Sequence, residues 1–416
     1  MVKKYMKSAI LGLSMLAIGG IANAAIVQIN MYGASAEYNY WTVADQNWLT
    51  QAGCNALDVY EAKTSPNGIA VCNHAGADNV IPAGSQHAGA PNLGIGGNTV
   101  ILRYSSKASY DGVEAIQNKN DFGTPGCAAN NQRLMADEAQ SNWATNAVNG
   151  TKCVTVNVAA SDVHAETFNQ ESHGALNGPA GGAQTDRIVS GLSVDVGAGP
   201  LQFTNVSPLV VPFSFFKNST LPTISNMSRL MATQIFAGQV TNWNQLDTTM
   251  ASTPIVVCMR HAGSGTVATL DAAVMRGDYS LVNTEVLVTD PLYLAGLAPE
   301  TYFNDGTGQM MPCISGKAGA IGYADSDRTD AGCTRITYQG VVGDRAHIKE
   351  GQYDFWSGQE LYWQNNLPAA TLALINNIIA YVSNPANLPA SETNWWATAS
   401  EMGVAKSTDT QYPFRQ

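Results

Sequence analysis

The chain is 416 residues long and 45% hydrophobic, with 21 Lys and Arg against 32 Asp and Glu, a formal net charge of −11. An acidic surplus of that size argues against nucleic acid as a partner, because a phosphate backbone is gripped by clustered cations. Any anion the protein holds must then be held by local dipoles and one or two Arg, in a small enclosed site.

From the N-terminus, Lys3, Lys4 and Lys7 precede an apolar run from Ala9 to Ile21 and the small-x-small end Ala22-Asn23-Ala24. This pattern predicts a secretory signal peptide over residues 1–24, cleaved on export to the periplasm or the extracellular space. No Cys follows the cleavage point, so no N-terminal lipid anchor is expected. No later stretch reaches the roughly 18 continuous apolar residues of a membrane span. Cleavage leaves 392 residues, enough for two lobes, with 18 Lys and Arg against 32 acids and a net charge of −14.

Next, the chain passes repeatedly from an apolar strand through a Ser/Gly/Ala turn into a helix-compatible run. The first three turns are Gly33-Ala34-Ser35-Ala36-Glu37 after Ala25–Tyr32, Ser105-Ser106-Lys107-Ala108-Ser109 after Thr99–Tyr104, and Ala159-Ala160-Ser161-Asp162 after Val154–Val158. Strands alternating with helices predict mainly parallel sheet, with ligands at the carboxyl ends of the strands. The Gly/Asn/Ala-rich stretches near 50–98 and 119–152 are expected to be surface inserts, and 163–200 to be loop.

Pro208–Phe216 is expected to cross between lobes, followed by a helix with Met227, Leu230, Met231 and Ile235 at core spacing. The fourth turn is Arg260-His261-Ala262-Gly263-Ser264-Gly265-Thr266, between the apolar run Pro254–Met259 and the helix former Val267–Met275. The first N–H groups of a helix lack internal partners and carry the positive end of its dipole, which suits an anion. Ser264 or Thr266 is placed to cap that helix, and Arg260 adds a planar fork matched to oxyanion oxygens. A Walker loop would need a Lys before the Ser/Thr, and a nucleophile elbow would need Gly-x-Ser-x-Gly; neither is present. The bland alternative is a Gly-rich turn with an incidental Arg. Gly319–Ala324 then predicts a returning strand, and Ala369–Val382 a helix with Leu372, Ile375, Ile378, Ile379 and Val382 on one face, limited by Pro385. The expected layout is lobe 1 over 25–207, lobe 2 over 208–324, and a return to lobe 1 with C-terminal helices over 325–416.

Seven Cys in the exported part suggest an oxidising compartment. Spacing favours Cys54–Cys72, Cys127–Cys153 and Cys313–Cys333, leaving Cys258 buried and reduced in its strand, although six Cys allow fifteen pairings. The six His are scattered and no CxxC occurs, so no metal site and no cofactor are expected.

In this order and spacing, the motifs resemble those of the periplasmic phosphate-binding proteins, the PstS-like substrate-binding subunits of phosphate ABC transporters. The carrying residues are Gly33–Ala36, Ser105-Ser106, Ala160–Asp162, Gln234–Trp243, Arg260–Thr266 and Gly319–Tyr323. The resemblance implies an α/β, two-lobed periplasmic binding protein fold of type II with the ligand cleft between the lobes. By position it implies inorganic phosphate or a similar oxyanion bound by Ser35, Ala36, Ser106 and Asp162 from one lobe and Arg260, Ser264, Gly265 and Thr266 from the other. An ABC transporter permease would be the implied partner. The implied role of Asp162 is to accept a hydrogen bond from protonated phosphate, which sulfate lacks the proton to give; the alternative is an ordinary helix cap. Glu37 and Tyr38 stand where the family has a hydroxyl residue and Phe, and Glu37 brings a carboxylate to the site. Lys107 either adds charge to the site or faces solvent. The alternatives in other classes are a secreted relative with an altered or lost ligand that serves surface interactions, and a hydrolase built on Ser264 and His261.

Overall fold

The computed structural model describes residues 26–51, 54, 59–72, 99–124, 126–172, 174–180, 187–221, 224–276 and 299–416. The expected signal peptide and part of the first expected insert lie outside the described residues. Two mixed sheets organise the rest. The first contains β1 (Ile26–Gly33), β2 (Val59–Thr64), β3 (Asn67–Cys72), β4 (Thr99–Ser106), β5 (Val158–Ser161) and β6 (Phe203–Val206). The second contains β7 (Leu209–Asn218), β8 (Val256–Arg260), β9 (Glu300–Asn304), β10 (Ala320–Asp325), β11 (Cys333–Tyr338) and β12 (Trp356–Gly358). The chain then returns to the first sheet as β13 (Glu360–Gln364).

Parallel pairing is narrower than expected. In the first sheet it joins only β4, β1 and β5, and at the centre of the second only β9, β8 and β10. Strands β2, β3, β6, β13 and β7 pair antiparallel with their neighbours. The reason is connection length. Ser65 and Pro66 alone join β2 to β3, and a two-residue turn can close only an antiparallel pair. The expected boundary at 324 is also too early, since the second sheet still takes β11 and β12 and returns no strand before Glu360. A short strand from the first half, Gly178-Pro179, pairs with β9 in that same sheet. The segment expected to cross between lobes is β7, whose ten residues are all buried.

Helices cover the sheets through residues at three- and four-residue spacing. In α1 (Tyr38–Gln51), Tyr40, Trp41, Ala44 and Trp48 are buried together. Helix α2 (Ser109–Ile116) is buried throughout between β1 and β5. Further along come α3 (Arg229–Phe236), α4 (Gly265–Thr269), which a wider helical turn continues to Met275, and α5 (Thr307–Gly316). Finally, α6 (Ala369–Val382) packs on β1 through Leu374, Ile375, Ile378 and Val382, while Leu372 and Ile379 are only partly buried. Trp48 donates its indole N–H to Asn377 Oδ1 at 2.7 Å, fixing α6 against α1. The second expected insert is no loose excursion. Gln132–Ala136 and Thr151–Thr155 form a hairpin on the first sheet, anchored by buried Arg133, whose Nε donates to Asp111 Oδ1 at 2.8 Å.

Cys54–Cys72 and Cys127–Cys153 are disulfides, as expected. The third pairing is a correction: Cys258 is bonded to Cys313, with Cα atoms 6.1 Å apart, and Cys333 is the free thiol. Cys258 lies in the sheet centre that α5 covers, so Cys313 is its through-space neighbour. Strand β7 separates β10 from β11, and Cys333 on β11 directs its Sγ at the Met311 carbonyl instead. Non-reducing peptide mapping is therefore expected to recover a Cys258–Cys313 cross-link. Cys333 should label only slowly at neutral pH, because burial and nearby Asp330 push its thiol up to about 11. A Cys313–Cys333 peptide would overturn this assignment.

Candidate anion-binding site

Strand register builds the first half of the site. Gly33 lies opposite Ser106 on β4 and opposite Ala160 on β5, so three turns leave the sheet at one level. Gly33 is needed there: its φ is +146°, and a Cβ would sit 2.0 Å from the Ala160 carbonyl oxygen. That same oxygen accepts the Ala34 N–H at 2.9 Å, which locks the first turn against the third. The turns carry Ser35, Ala36 and Glu37, then Ser106, then Asp162.

The second half comes from β8 and α4. Arg260 is buried at the end of β8, donating through Nε to the Asn304 carbonyl at 3.3 Å and through Nη2 to the Asp305 carbonyl at 2.8 Å. Its Nη1 donates to Thr266 Oγ1 at 3.4 Å, and Thr266 in turn donates to Asp162 Oδ2 at 3.2 Å. A buried chain of Arg, Thr and Asp thus runs from one lobe into the other. Ser109 adds a second bridge. Its Oγ accepts the Gly265 N–H at 3.2 Å and the Asp162 N–H at 3.3 Å, while the Tyr110 N–H reaches the Gly263 carbonyl at 3.0 Å.

Three polar atoms around this junction are buried without a hydrogen-bond partner: Ser35 Oγ, Glu37 Oε1 and Asp162 Oδ1. Such atoms are costly to leave unsatisfied, typically by about 1–3 kcal/mol each, so their grouping at one set of strand ends marks a place for a ligand. Burial raises the Asp162 carboxyl above the usual range, partly offset by Arg260 and the Thr266 hydroxyl. Glu37 is raised further, first by burial and then by the charge of Asp162. Beside the cradle, a cavity of about 360 Å³ is lined by Ser35, Ser106, Lys107, Asp305 and Arg328.

Some expectations need correction. Neither Ser264 nor Thr266 caps α4 with its side chain, because Thr266 is turned to Asp162 and the Ser264 hydroxyl makes no capping bond. Lys107 lies at the cavity mouth, 44% exposed, with Nζ 3.6 Å from Asp305 Oδ2. The Ser264–His261 pairing that a hydrolase would need does not form. The ring nitrogens of His261 face the Ala262 and Asp305 carbonyls, and burial together with Arg260 lowers its pKa to about 4. Ser109, Asn304 and Asp305 were not anticipated. Ser109 looks in sequence like any helix-start serine, and carbonyl groups leave no residue signature. Among the described residues, no group of three or more His, Cys, Asp or Glu is placed to hold a metal. No described helix is long and apolar enough to cross a membrane.

Residues 202–399 match the family model of the PBP superfamily domain. Two mixed sheets covered by helices give an α/β architecture, and the matched stretch holds β7 to β13, so the resemblance to periplasmic binding proteins holds at the level of that superfamily match. Among solved structures, the chain is similar to a high affinity periplasmic phosphate-binding protein (PfluDING) bound with phosphate, at 12% identity, TM-score 0.47 and 88% coverage of each chain. It is also similar to a candidate phosphate ABC transporter substrate-binding protein from Clostridium perfringens with bound phosphate, at 13% identity and TM-score 0.46, over 84% of this chain and 92% of that one. A phosphate binding protein from Stenotrophomonas maltophilia matches at 13% identity and TM-score 0.40, over 82% of this chain and 79% of that one. At such distances none of these carries its ligand over to this chain.

Closure depends on Gly265, where a Cβ would lie 2.5 Å from Ser109 Oγ and 2.7 Å from Asp162 Cβ. Gly265→Ala is expected to keep the lobes apart, raising the radius of gyration in solution X-ray scattering without unfolding either lobe. Overpacking of about 1–3 kcal/mol at this contact would weaken a cleft ligand roughly five- to a hundredfold. Scattering and affinity identical to wild type would show that the lobes close elsewhere.

Proposed function

We propose that the protein is an exported receptor that captures inorganic phosphate, or an oxyanion of the same tetrahedral shape, between its lobes for ABC transport or sensing. The observation that carries this reading is the set of buried, unpartnered oxygens of Ser35, Glu37 and Asp162 beside the Arg260–Thr266 chain. Arg260 supplies the cation, and hydroxyls of Ser35, Ser106, Ser264 and Thr266 supply donors. The backbone at Ala36 and Gly265 completes the cradle once the ligand displaces contacts such as that of Ser109. Asp162 is the acceptor for the proton that phosphate keeps near neutral pH. Three disulfides support an exported location, and residues 1–24 supply the proposed export signal.

A second reading has its own observation. Glu37 places a fully buried carboxyl in the cradle, and Arg260 is already held by two backbone carbonyls, an arrangement that suits a changed or lost ligand. Calorimetric titration of ligand-stripped protein with phosphate, arsenate, sulfate and a phosphate ester separates the two. Binding of phosphate without turnover supports the receptor; silence toward all four overturns it.

Arg260→Ala should weaken phosphate binding about ten- to a hundredfold or more, since a charge-assisted hydrogen bond contributes about 1.5–3 kcal/mol. Asp162→Asn should admit sulfate, because an amide offers either an oxygen or an N–H to the ligand. Unchanged phosphate affinity in folded Arg260→Ala removes that residue from the site. Wild-type protein that binds sulfate as tightly as phosphate removes the proton-accepting role of Asp162.

A further inference from the structure

The carboxyl of Glu37 is wholly buried at the start of α1. Its Oε2 accepts the Trp41 indole N–H at 3.1 Å, and its Oε1 has no partner. The groups around it come from every neighbouring element. Trp41 faces it from α1, Tyr104 from β4, Asp162 from the end of β5, and Gln359 and Glu360 from the start of β13. None of these is a cation. The Tyr104 hydroxyl is already given to the Ala34 carbonyl.

Asp162 is differently placed. Its Oδ2 receives the Thr266 hydroxyl, and the Arg260 guanidinium acts on it across the lobe junction, with the Asp325 carboxylate opposing. The two carboxyls are neighbours, and both have one oxygen left unpartnered. A tetrahedral oxyanion between them would meet two acceptors and a single buried cation. Neither other cation of the cavity restores the balance, since Lys107 is half-exposed at the mouth and faces Asp305, and the Arg328 fork is given to the Asp330 carboxylate. In a water-poor site two carboxylates cannot both stay charged beside an anion, and the proton goes to the one farther from the guanidinium. A protonated carboxyl is then a donor and no longer repels.

We propose that Glu37 meets the bound anion as a neutral carboxylic acid, donating its O–H to an anion oxygen, while Asp162 remains the ionised acceptor. This rests on the oxyanion reading of the cleft and adds to it a proton, drawn from solvent onto Glu37 whenever the open, hydrated form has lost it. Burial raises both carboxyls: Asp162 rises to about 7, with Arg260 and the Thr266 hydroxyl holding it back, while Glu37 lacks any such cation and is raised well above the carboxylate range by burial and by Asp162. The sign follows. A group that is more strongly protonated in the complex contributes its full stabilisation below the pKa of the open form, and that contribution is lost as pH rises.

The test is calorimetric titration with inorganic phosphate from about pH 6 to about pH 9, for wild type, Glu37→Gln and Glu37→Thr, in two buffers of different ionisation heat. Ionisation of phosphate is common to all three proteins, so differences report Glu37 together with its influence on the neighbouring Asp162. Wild type should lose affinity more steeply with pH than either variant, by up to about tenfold per pH unit, and should take up as much as about one extra proton per anion. Glu37→Thr keeps the comparison available if Glu37→Gln folds poorly. Superimposable slopes and proton counts in all folded forms would overturn the role of Glu37 and leave the oxyanion reading standing. Failure of wild type to bind phosphate at any pH would overturn the oxyanion reading, and this inference with it.

Discussion

The cleft depends on three parallel strands that end within one residue of the same level. Because β4 and β1 stop at Ser106 and Gly33, opposite Ala160 and one residue before β5 stops at Ser161, their turns leave the sheet about one strand spacing, roughly 5 Å, apart. A slip of one residue in β1 would turn its inward side chains outward and carry Ser35 and Glu37 away from Asp162. Gly33 holds that register, since only a residue without a Cβ lets the first turn lie on the Ala160 carbonyl. Chemistry at the cleft is thus set by backbone pairing before any functional side chain is chosen.

The second sheet answers with one cation that is held rather than free. Arg260 spends two of its donors on the carbonyls of Asn304 and Asp305, and its backbone N–H bonds the Tyr323 hydroxyl at 3.3 Å. A buried guanidinium without such partners would be severely destabilising. With them, it is fixed in direction and can act on Thr266 and Asp162. Lowering of the His261 pKa next door is part of the same field, so the imidazole stays neutral and leaves the charge of Arg260 undiluted.

What could be read from the sequence was local. The four strand-turn segments are visible because β-branched and apolar runs stop abruptly at small residues, and the turn residues they expose belong to the proposed cradle. What escaped is what depends on spatial neighbours. Short hairpins turned the outer strands antiparallel, β11 and β12 stayed with the second sheet, and β7 came between β10 and β11. Pairing Cys313 with the nearer Cys333 in sequence therefore failed, because a helix selects disulfide partners by the strand it covers. Ser109 escaped for a related reason: its hydroxyl serves N–H groups of two other segments, 53 and 156 residues away.

The C-terminal tail joins the two halves of the cradle from behind. Asp409 Oδ2 accepts the His164 N–H at 2.9 Å and the Thr167 hydroxyl at 2.7 Å, only two residues beyond Asp162. On the other lobe, Arg276 ends the helical run that begins at Gly265; it donates to the Thr410 carbonyl at 2.9 Å and lies 3.6 Å over the Tyr412 ring. His164 is raised to about 9, chiefly by its bond to Asp409, so it is a cation at neutral pH, and its contribution fades only as pH climbs through that value. Residues 162–164 therefore present an acid to the cleft and a cation to the tail, while residues 265–276 present donors to the cleft and Arg276 to the tail. These two of the four segments at the proposed cradle are tied to the tail at their far ends. Opening of the lobes must then be accommodated between two anchors only a few residues apart in the tail, which limits how far the cradle can spread without releasing Asp409 or Tyr412.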